Sequence, residues 1–256
     1  MQPGSESSDH HRVPVAILEL AVGLGAVVAL SALLIAGQDL PQALIPAAAL
    51  VYAAMAAILG WRWTSIRQSF GAANRVTLVR AALVAVVAGT VLFPQALQGS
   101  ALPIAVLSTL ALILDGVDGW VARRTGSASV FGARFDMELD AFFILVLCAM
   151  LVQLGKAGVW VLAIGAMRYL FVLAMHFLPW LSATLPESFR RKLVCVVQVA
   201  ALLLCLLPVV TPSLATAILA LALAALTLSF AQDVRWLFLH AAGQAARHHR
   251  NQGVRS

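Results

Sequence analysis

Long apolar runs separated by short polar segments dominate the chain. An α-helix needs about 20 apolar residues to cross the hydrocarbon core of a bilayer, and several runs reach that length. We predict eight membrane-spanning helices, at residues 14–36, 43–61, 76–96, 101–122, 136–154, 157–178, 193–209 and 213–234. The pattern therefore indicates an all-α integral membrane protein.

The composition supports a bilayer rather than water as the solvent. Hydrophobic residues make up 62% of the 256 residues, charged residues only 11%, and the mean hydropathy is +0.94. Soluble globular domains contain far more charged surface. The three cysteines lie inside apolar runs, so we expect small buried hydrophobes rather than disulfides or metal ligands.

The basic residues indicate the orientation in the membrane. With the N-terminus in the cytoplasm, fifteen of the seventeen Lys and Arg residues fall on the cytoplasmic side, Lys156 lies outside and Arg168 lies within a span. This bias is the positive-inside pattern, spread over short loops, and it argues against a nucleic-acid partner. We predict a protein of the inner or plasma (cell) membrane with both termini and the active site facing the cytoplasm.

The polar chemistry is distributed unevenly along the chain. The first two spans contain little beyond Glu19, whereas the polar groups that resemble a site begin at Asn74. We therefore predict a disordered N-terminal tail (1–12), an accessory helix pair (13–70), a working core (71–240) and a basic cytoplasmic tail (241–256).

Four aspartates cluster in one helix–loop–helix segment, LILDGVDGWVARRTGSASVFGARFDMELDAFF. One pair, Asp115 and Asp118, is three residues apart near the end of a predicted span. The other pair, Asp136 and Asp140, is four residues apart at the start of the next. Spacings of three and four place each pair on one helix face. A loop over 123–133 would let the helices return antiparallel, so we expect the four carboxylates to meet just under the cytoplasmic surface.

Four carboxylates in a poorly solvated pocket repel one another, so either cations compensate them or some are protonated. The arginines close in sequence are Arg123 and Arg134, which leaves divalent metal as the natural complement. Oxygen ligands without His or Cys favour Mg²⁺, Mn²⁺ or Ca²⁺ over zinc. Four carboxylates suit a two-metal site that clamps a phosphoryl group. We therefore expect two Mg²⁺ or Mn²⁺ ions, with Gly119 and Gly132 leaving space beside them.

This segment resembles the signature of the CDP-alcohol phosphotransferase family, which reads D-x2-D-G-x2-A-R-x8-G-x3-D-x3-D. The chain matches its eight fixed positions, at Asp115, Asp118, Gly119, Ala122, Arg123, Gly132, Asp136 and Asp140. The segment NRVTLVR is similar to the family's N-x2-T-x2-R entry to its first core helix, and SFAQDVRWL is similar to the end of some members. The resemblance covers roughly 71–237 and implies a six-helix core, to which this chain adds two N-terminal transmembrane helices.

The resemblance implies transfer of a phosphatidyl or other substituted phosphate group from a CDP-linked lipid donor, such as CDP-diacylglycerol, to an alcohol acceptor. CMP would be released, in phospholipid biosynthesis. The implied metal ligands are Asp115, Asp118, Asp136 and Asp140, with Asp140 also the catalytic general base. The implied CDP-binding residues are Gly119, Ala122, Arg123 and Gly132, supported by Asn74, Thr77 and Arg80. The resemblance also suggests a homodimer among membrane lipids.

Two other functions stay open at the level of sequence. One is a phosphotransferase with reversed roles, which takes a CDP-linked headgroup as donor and diacylglycerol as acceptor. The other is a carboxylate-lined cation transporter, although the aspartates lie near one surface rather than at the midplane. The signature does not identify the acceptor alcohol. Residues that could form its pocket are Arg168, which could instead pair with an aspartate, and Arg191 and Lys192.

Overall fold

A computed structural model describes residues 12–63, 72–125, 130–183, 185–186 and 188–253; its described side chains lie within 18–58, 75–117, 119–121, 124, 132–133, 135–183, 185–186 and 188–240. These residues form eight α-helices and two short 3₁₀ turns, and they contain no strand. The helices are α1 (Arg12–Gly37), α2 (Leu44–Trp63), α3 (Ala72–Thr90), α4 (Pro94–Thr125), α5 (Val130–Gln153), α6 (Leu162–Phe177), α7 (Phe189–Leu206) and α8 (Pro212–Gly253). The predicted tail at 1–12 lies outside the described residues except for Arg12, which begins α1.

Four segments are long and apolar enough, by length and composition alone, to cross a membrane. They are Leu18–Gly37, Pro94–Val121, Val159–Phe177 and Pro212–His240. The apolar part of α2, Leu44–Ile58, is shorter. The protein is therefore an all-α membrane protein. That the remaining helices also cross the bilayer stays a prediction.

The boundary between α3 and α4 differs from the prediction. The sequence predicted one span at 76–96 and the next at 101–122, with a break at 97–100 that contains Gln98 and Ser100. In the structure, α3 ends at Thr90 and α4 begins at Pro94. Proline is well suited to the first position of a helix, where a missing N–H has no acceptor to lose. The polar residues therefore form the first turns of α4 rather than a loop.

The predicted loop at 123–133 is also too long. In the structure, α4 continues to Thr125 and α5 begins at Val130, with 126–129 outside the described residues. Asp136 consequently lies nearly two turns into α5 instead of at its start. At the other end of the chain, α8 extends helically to Gly253, well past the predicted end of the last span at 234.

Two helix ends follow from local backbone chemistry. After α5, the N–H of Gly155 donates to Val152 and that of Lys156 to Leu151, and Gly155 has φ +66°. This is a Schellman termination, which favours glycine because the left-handed backbone carries no Cβ penalty. At the end of α7, Leu207 is extended because a residue before proline is disfavoured in helical conformation.

Helix α3 lies at the centre of the bundle. It packs against α1 and α2 on one side and against α4 and α5 on the other. Every residue from Arg80 to Thr90 is buried. Helix α7 packs against α4, α5 and α8, and α6 packs against α5. A helix buried on all faces fixes the relative positions of its neighbours.

Successive helices run in opposite directions, so the bundle has two distinct ends. The end that carries the starts of α1, α3, α5 and α7 contains all described acidic side chains except Asp39, and we call it the charged end. The opposite end carries Asp39, the turn at Lys156 and the start of α8. The described acidic side chains are therefore concentrated at the charged end of the bundle.

Candidate active site

Three of the four predicted aspartates meet at the charged end. Asp115 comes from α4, and Asp136 and Asp140 come from successive turns of α5. Their carboxylate oxygens lie within 4.8 Å of one another. The side chains are 32%, 36% and 38% exposed, so the cluster is reachable from outside the bundle. Asp118 follows one turn after Asp115 on α4, but its side chain lies outside the described part of the chain.

The carboxylates converge through the helices beside them. Helices α4 and α5 both pack against α3 and α7, and α5 also packs against α6, whereas the described residues of α4 and α5 make little direct contact with each other. The site is therefore a cleft between α4 and α5 with α3 and α7 as its remaining walls.

Arg80 of α3 lies at the centre of the cluster. Its Nη1 is 2.7 Å from Oδ1 of Asp115 and also donates to Oδ1 of Asp136, while Nη2 donates to Oδ1 of Asp140. The arginine side chain is only 1% exposed. An uncompensated buried guanidinium would be costly, and its planar fork of donors suits several carboxylates at once. The one cation thus holds carboxylates from two helices together.

Sequence reasoning missed this role of Arg80. Arg123 and Arg134, which are neighbours in sequence, and Arg168 were considered as possible cations for the aspartates. That reasoning was incomplete, since the cation comes from a helix 35 residues before Asp115. A signal was available: a cation within an apolar run needs a partner, and the aspartates were the nearest acidic residues along the core.

The cluster fits a divalent metal. Three carboxylates and one guanidinium carry a formal charge of −2, which a divalent cation would balance. Oxygen ligands on opposite sides of a Mg²⁺ ion are separated by about 4.2 Å, twice the usual metal–oxygen distance. Carboxylate oxygens within 4.8 Å of one another can therefore share an ion after small side-chain adjustments. Asp115, Asp136 and Asp140 are the described residues that could hold it.

The predicted nucleotide-binding residues surround this cluster along the helices. Gly119 lies one turn after Asp115 on α4, and Gly132 lies one turn before Asp136 on α5; both are half-buried. On α3, Thr77 is buried one turn before Arg80. The side chains of the remaining members lie outside the described part: Asn74, Ala122 and Arg123.

The predicted acceptor residues are spread over two places. Nη2 of Arg168 is 2.7 Å from Oε1 of Glu138, so its partner is a glutamate and not one of the aspartates. Glu138 lies between Asp136 and Asp140 in sequence but on a different face of α5. Lys192 is exposed on the first turn of α7.

Arg191 belongs to a second polar network, which the sequence did not predict. Asp233 of α8 is 2.6 Å from Nη2 of Arg190 and 3.5 Å from Nη1 of Arg191. Nη1 of Arg190 also donates to the carbonyl oxygen of Ser229 at 2.9 Å. This network ties the start of α7 to α8 at the charged end.

The fold and the cluster define an all-α membrane protein with a carboxylate site able to bind a divalent cation. The family model for CDP-alcohol phosphatidyltransferase matches residues 70–229, and the chain belongs to this family. It is therefore a phosphotransferase that transfers a phosphate-linked group from a CDP-alcohol in lipid synthesis. The family consists of enzymes, so the alternative of a cation transporter is set aside. No solved structure matches the chain.

Proposed function

We propose that this enzyme transfers a phosphatidyl group from CDP-diacylglycerol to a water-soluble alcohol and releases CMP. The observation that carries the proposal is the half-exposed cluster of Asp115, Asp136 and Asp140 around buried Arg80, in a chain of this family. Asp118 would complete the set of four carboxylates. The apolar surface around the cleft suits a donor whose acyl chains remain in the bilayer.

Asp140 is the proposed general base. It is the most exposed of the three described carboxylates, and a carboxylate within hydrogen-bond reach of a hydroxyl can accept its proton. The acceptor oxygen then forms a bond to the phosphorus that carries the diacylglycerol. The bond from that phosphorus to the oxygen of CMP breaks, CMP leaves, and the proton passes from Asp140 to water.

The other residues position the donor and balance its charge. Two Mg²⁺ or Mn²⁺ ions at the four aspartates would offset the charge of the diphosphate and of departing CMP. Arg80 holds the carboxylates of α4 and α5 in one arrangement. Gly119 and Gly132 leave room for the nucleotide, and Arg123 offers a planar donor to a phosphate.

The test is product analysis with the purified protein in lipid nanodiscs. Labelled CDP-diacylglycerol and Mg²⁺ are supplied with glycerol phosphate, inositol, inositol phosphate or serine in turn. We expect CMP and one new phospholipid, with one acceptor strongly preferred, and no product after chelation of the metal. Release of CMP from a CDP-linked headgroup in the presence of diacylglycerol, but not from CDP-diacylglycerol, would overturn the proposal in favour of the reversed reaction.

The proposed orientation has its own test. The excess of Lys and Arg at the charged end predicts that this end faces the cytoplasm. A reporter fused after Gln98, near the start of α4, should then report a non-cytoplasmic location. Cytoplasmic activity of that reporter would contradict the orientation while leaving the chemistry untouched.

A further inference from the structure

Helix α3 connects two parts of the molecule that otherwise have separate roles. One side of the helix is covered by α1 and α2, which lie outside the region matched by the family, and the other side faces α4 and α5. Arg80 projects from α3 into the carboxylate cluster. The position of α3 therefore determines where the guanidinium lies.

An ion pair holds α3 at the charged end. Nε of Arg75 is 2.7 Å from Oε1 of Glu19 on α1, and the glutamate side chain is only 15% exposed. Arg75 precedes Arg80 by five residues, which corresponds to about 7.5 Å along the helix and about 140° around it. The two arginines consequently point to different neighbours, one to α1 and the other to the aspartates.

Close packing holds α3 at the opposite end. A Cβ added to Gly89 of α3 would lie 3.1 Å from both the Cβ and the backbone nitrogen of Ala48 on α2. The accessory helices are also joined to each other, because the hydroxyl of Tyr52 donates to the carbonyl oxygen of Leu20 at 3.3 Å. The α1–α2 pair thus contacts α3 near both of its ends.

We propose that α1 and α2 act as a clamp that fixes α3 so that Arg80 stays between the three carboxylates, with Glu19 as a positioning residue for the active site. The proposal rests on the proposed function of that site. Packing and polar contacts must supply the restraint, because lipid removes the hydrophobic force between helices. A slip of α3 by one turn would move Arg80 by about 5.4 Å, beyond hydrogen-bond distance of its partners.

The test compares Glu19→Gln with Asp39→Asn, a matched control that removes an exposed carboxylate at the opposite end. For each full-length protein we would measure Mn²⁺ affinity by electron paramagnetic resonance, CMP release as a function of Mg²⁺ concentration, and the melting temperature. We expect Glu19→Gln to weaken Mn²⁺ binding and slow CMP release by up to about 5-fold, the range for an ion pair whose arginine is 65% exposed. Asp39→Asn should match the wild type.

A charge exchange separates positioning from general destabilisation. Glu19→Arg combined with Arg75→Glu restores the pair in reverse, so it should recover most of the Mn²⁺ affinity lost in Glu19→Gln. Gly89→Ala, which presses on Ala48, should reduce the affinity in the same direction, whereas Gly25→Ala, with no atom within 4 Å of the added Cβ, should not.

Two outcomes would overturn the clamp. One is wild-type Mn²⁺ affinity in Glu19→Gln; the other is a loss of affinity that follows the melting temperature alone and is not recovered by the charge exchange. A wild-type protein that releases no CMP from CDP-diacylglycerol would contradict the proposed function instead. The Mn²⁺ comparison would still decide the clamp, because it needs no nucleotide donor.

Discussion

The two ends of the bundle use charged side chains in different ways. At the charged end, Arg80 contacts three carboxylates, and further ion pairs join α1 to α3, α5 to α6 and α7 to α8. At the opposite end, Lys156 donates to the backbone carbonyl oxygens of Leu207 and Val210. One end therefore connects charges from different helices, and the other uses a charge to complete a helix terminus.

The difference indicates that the charged end serves catalysis and that the opposite end serves structural support. Carboxylates that converge from two helices leave an excess of negative charge available to a metal or a substrate. Lys156, by contrast, contacts carbonyl oxygens at the end of α7, where the partial negative charge of the helix terminus balances the charge of the lysine. This contact leaves no excess charge to bind a metal or a substrate. Substitutions at the charged end should consequently change activity, and equivalent substitutions at the opposite end should change stability alone.

The largest effect is expected for Asp140→Asn. The amide cannot accept the acceptor's proton, so CMP release should fall by about 10²–10⁴-fold, measured under saturating donor and Mg²⁺. Donor binding should persist, because the other carboxylates remain. Asp115→Asn serves as the contrast and should lose metal-dependent donor binding. Wild-type turnover in Asp140→Asn would refute its assignment as the base.

Arg80→Gln should have the largest effect on stability. Removal of the guanidinium leaves three carboxylates, each about a third exposed, without this central cation, and each lost hydrogen bond to a charged group contributes about 1.5–3 kcal/mol. Thermal unfolding in detergent without metal measures this loss. Arg80→Lys should recover only part of it, because an ammonium group lacks the planar fork that contacts several carboxylates. Equal stability of the lysine variant and the wild type would show that charge alone suffices.

Between the two ends, Gly165→Ala tests packing without changing charge. The added Cβ would lie 2.6 Å from Cα of Leu145, so α6 must move away from the helix that carries Asp136 and Asp140. We expect a loss of about 2–3 kcal/mol in the free energy of unfolding. Gly25→Ala, which meets no atom within 4 Å, should instead gain up to about 1 kcal/mol from helix propensity. Equal melting temperatures for the two variants would argue against the α5–α6 contact.

The smallest effect is expected for Lys156→Met at the opposite end. The variant loses hydrogen bonds to the carbonyl oxygens of Leu207 and Val210, at a cost of about 1–2 kcal/mol. The rate of CMP release at a temperature below unfolding should equal that of the wild type. A lower rate of CMP release at unchanged stability would contradict the expectation that substitutions at the opposite end change stability alone.

Much of the fold could be predicted because apolar runs of the right length specify helices. The errors occurred where polarity and helix formation disagree. Gln98 and Ser100 lie in the predicted break between two spans, whereas the structure has a helix through them that begins at Pro94. The predicted loop at 123–133 was too long for the same reason, because small and polar residues can continue a helix by about a turn.

The site could be predicted only in part. The four-residue spacing of Asp136 and Asp140 places them on one face of a single helix. This could be predicted because it depends only on residues that are close together in the sequence. The contact between Arg80 and Asp140 spans 60 residues, and that between Arg190 and Asp233 spans 43. Arg190 also satisfies the rule for cytoplasmic charge, so nothing in the sequence required a partner for it. Such pairs depend on how whole helices are arranged.

The burial of Arg80 in α3 has a consequence for biogenesis. An arginine at the centre of a membrane helix costs about 2.5–3.5 kcal/mol during insertion by the translocon, and Arg80 is the ninth of the 19 residues of α3. Its carboxylate partners on α5 emerge from the ribosome 56 and 60 residues later. Asp115 on α4 follows earlier, 35 residues after Arg80. Until α4 is made, the neighbours of α3 already synthesised are α1 and α2. If α3 crosses the bilayer as predicted, we expect the first two helices to help retain it there until its carboxylate partners have been synthesised.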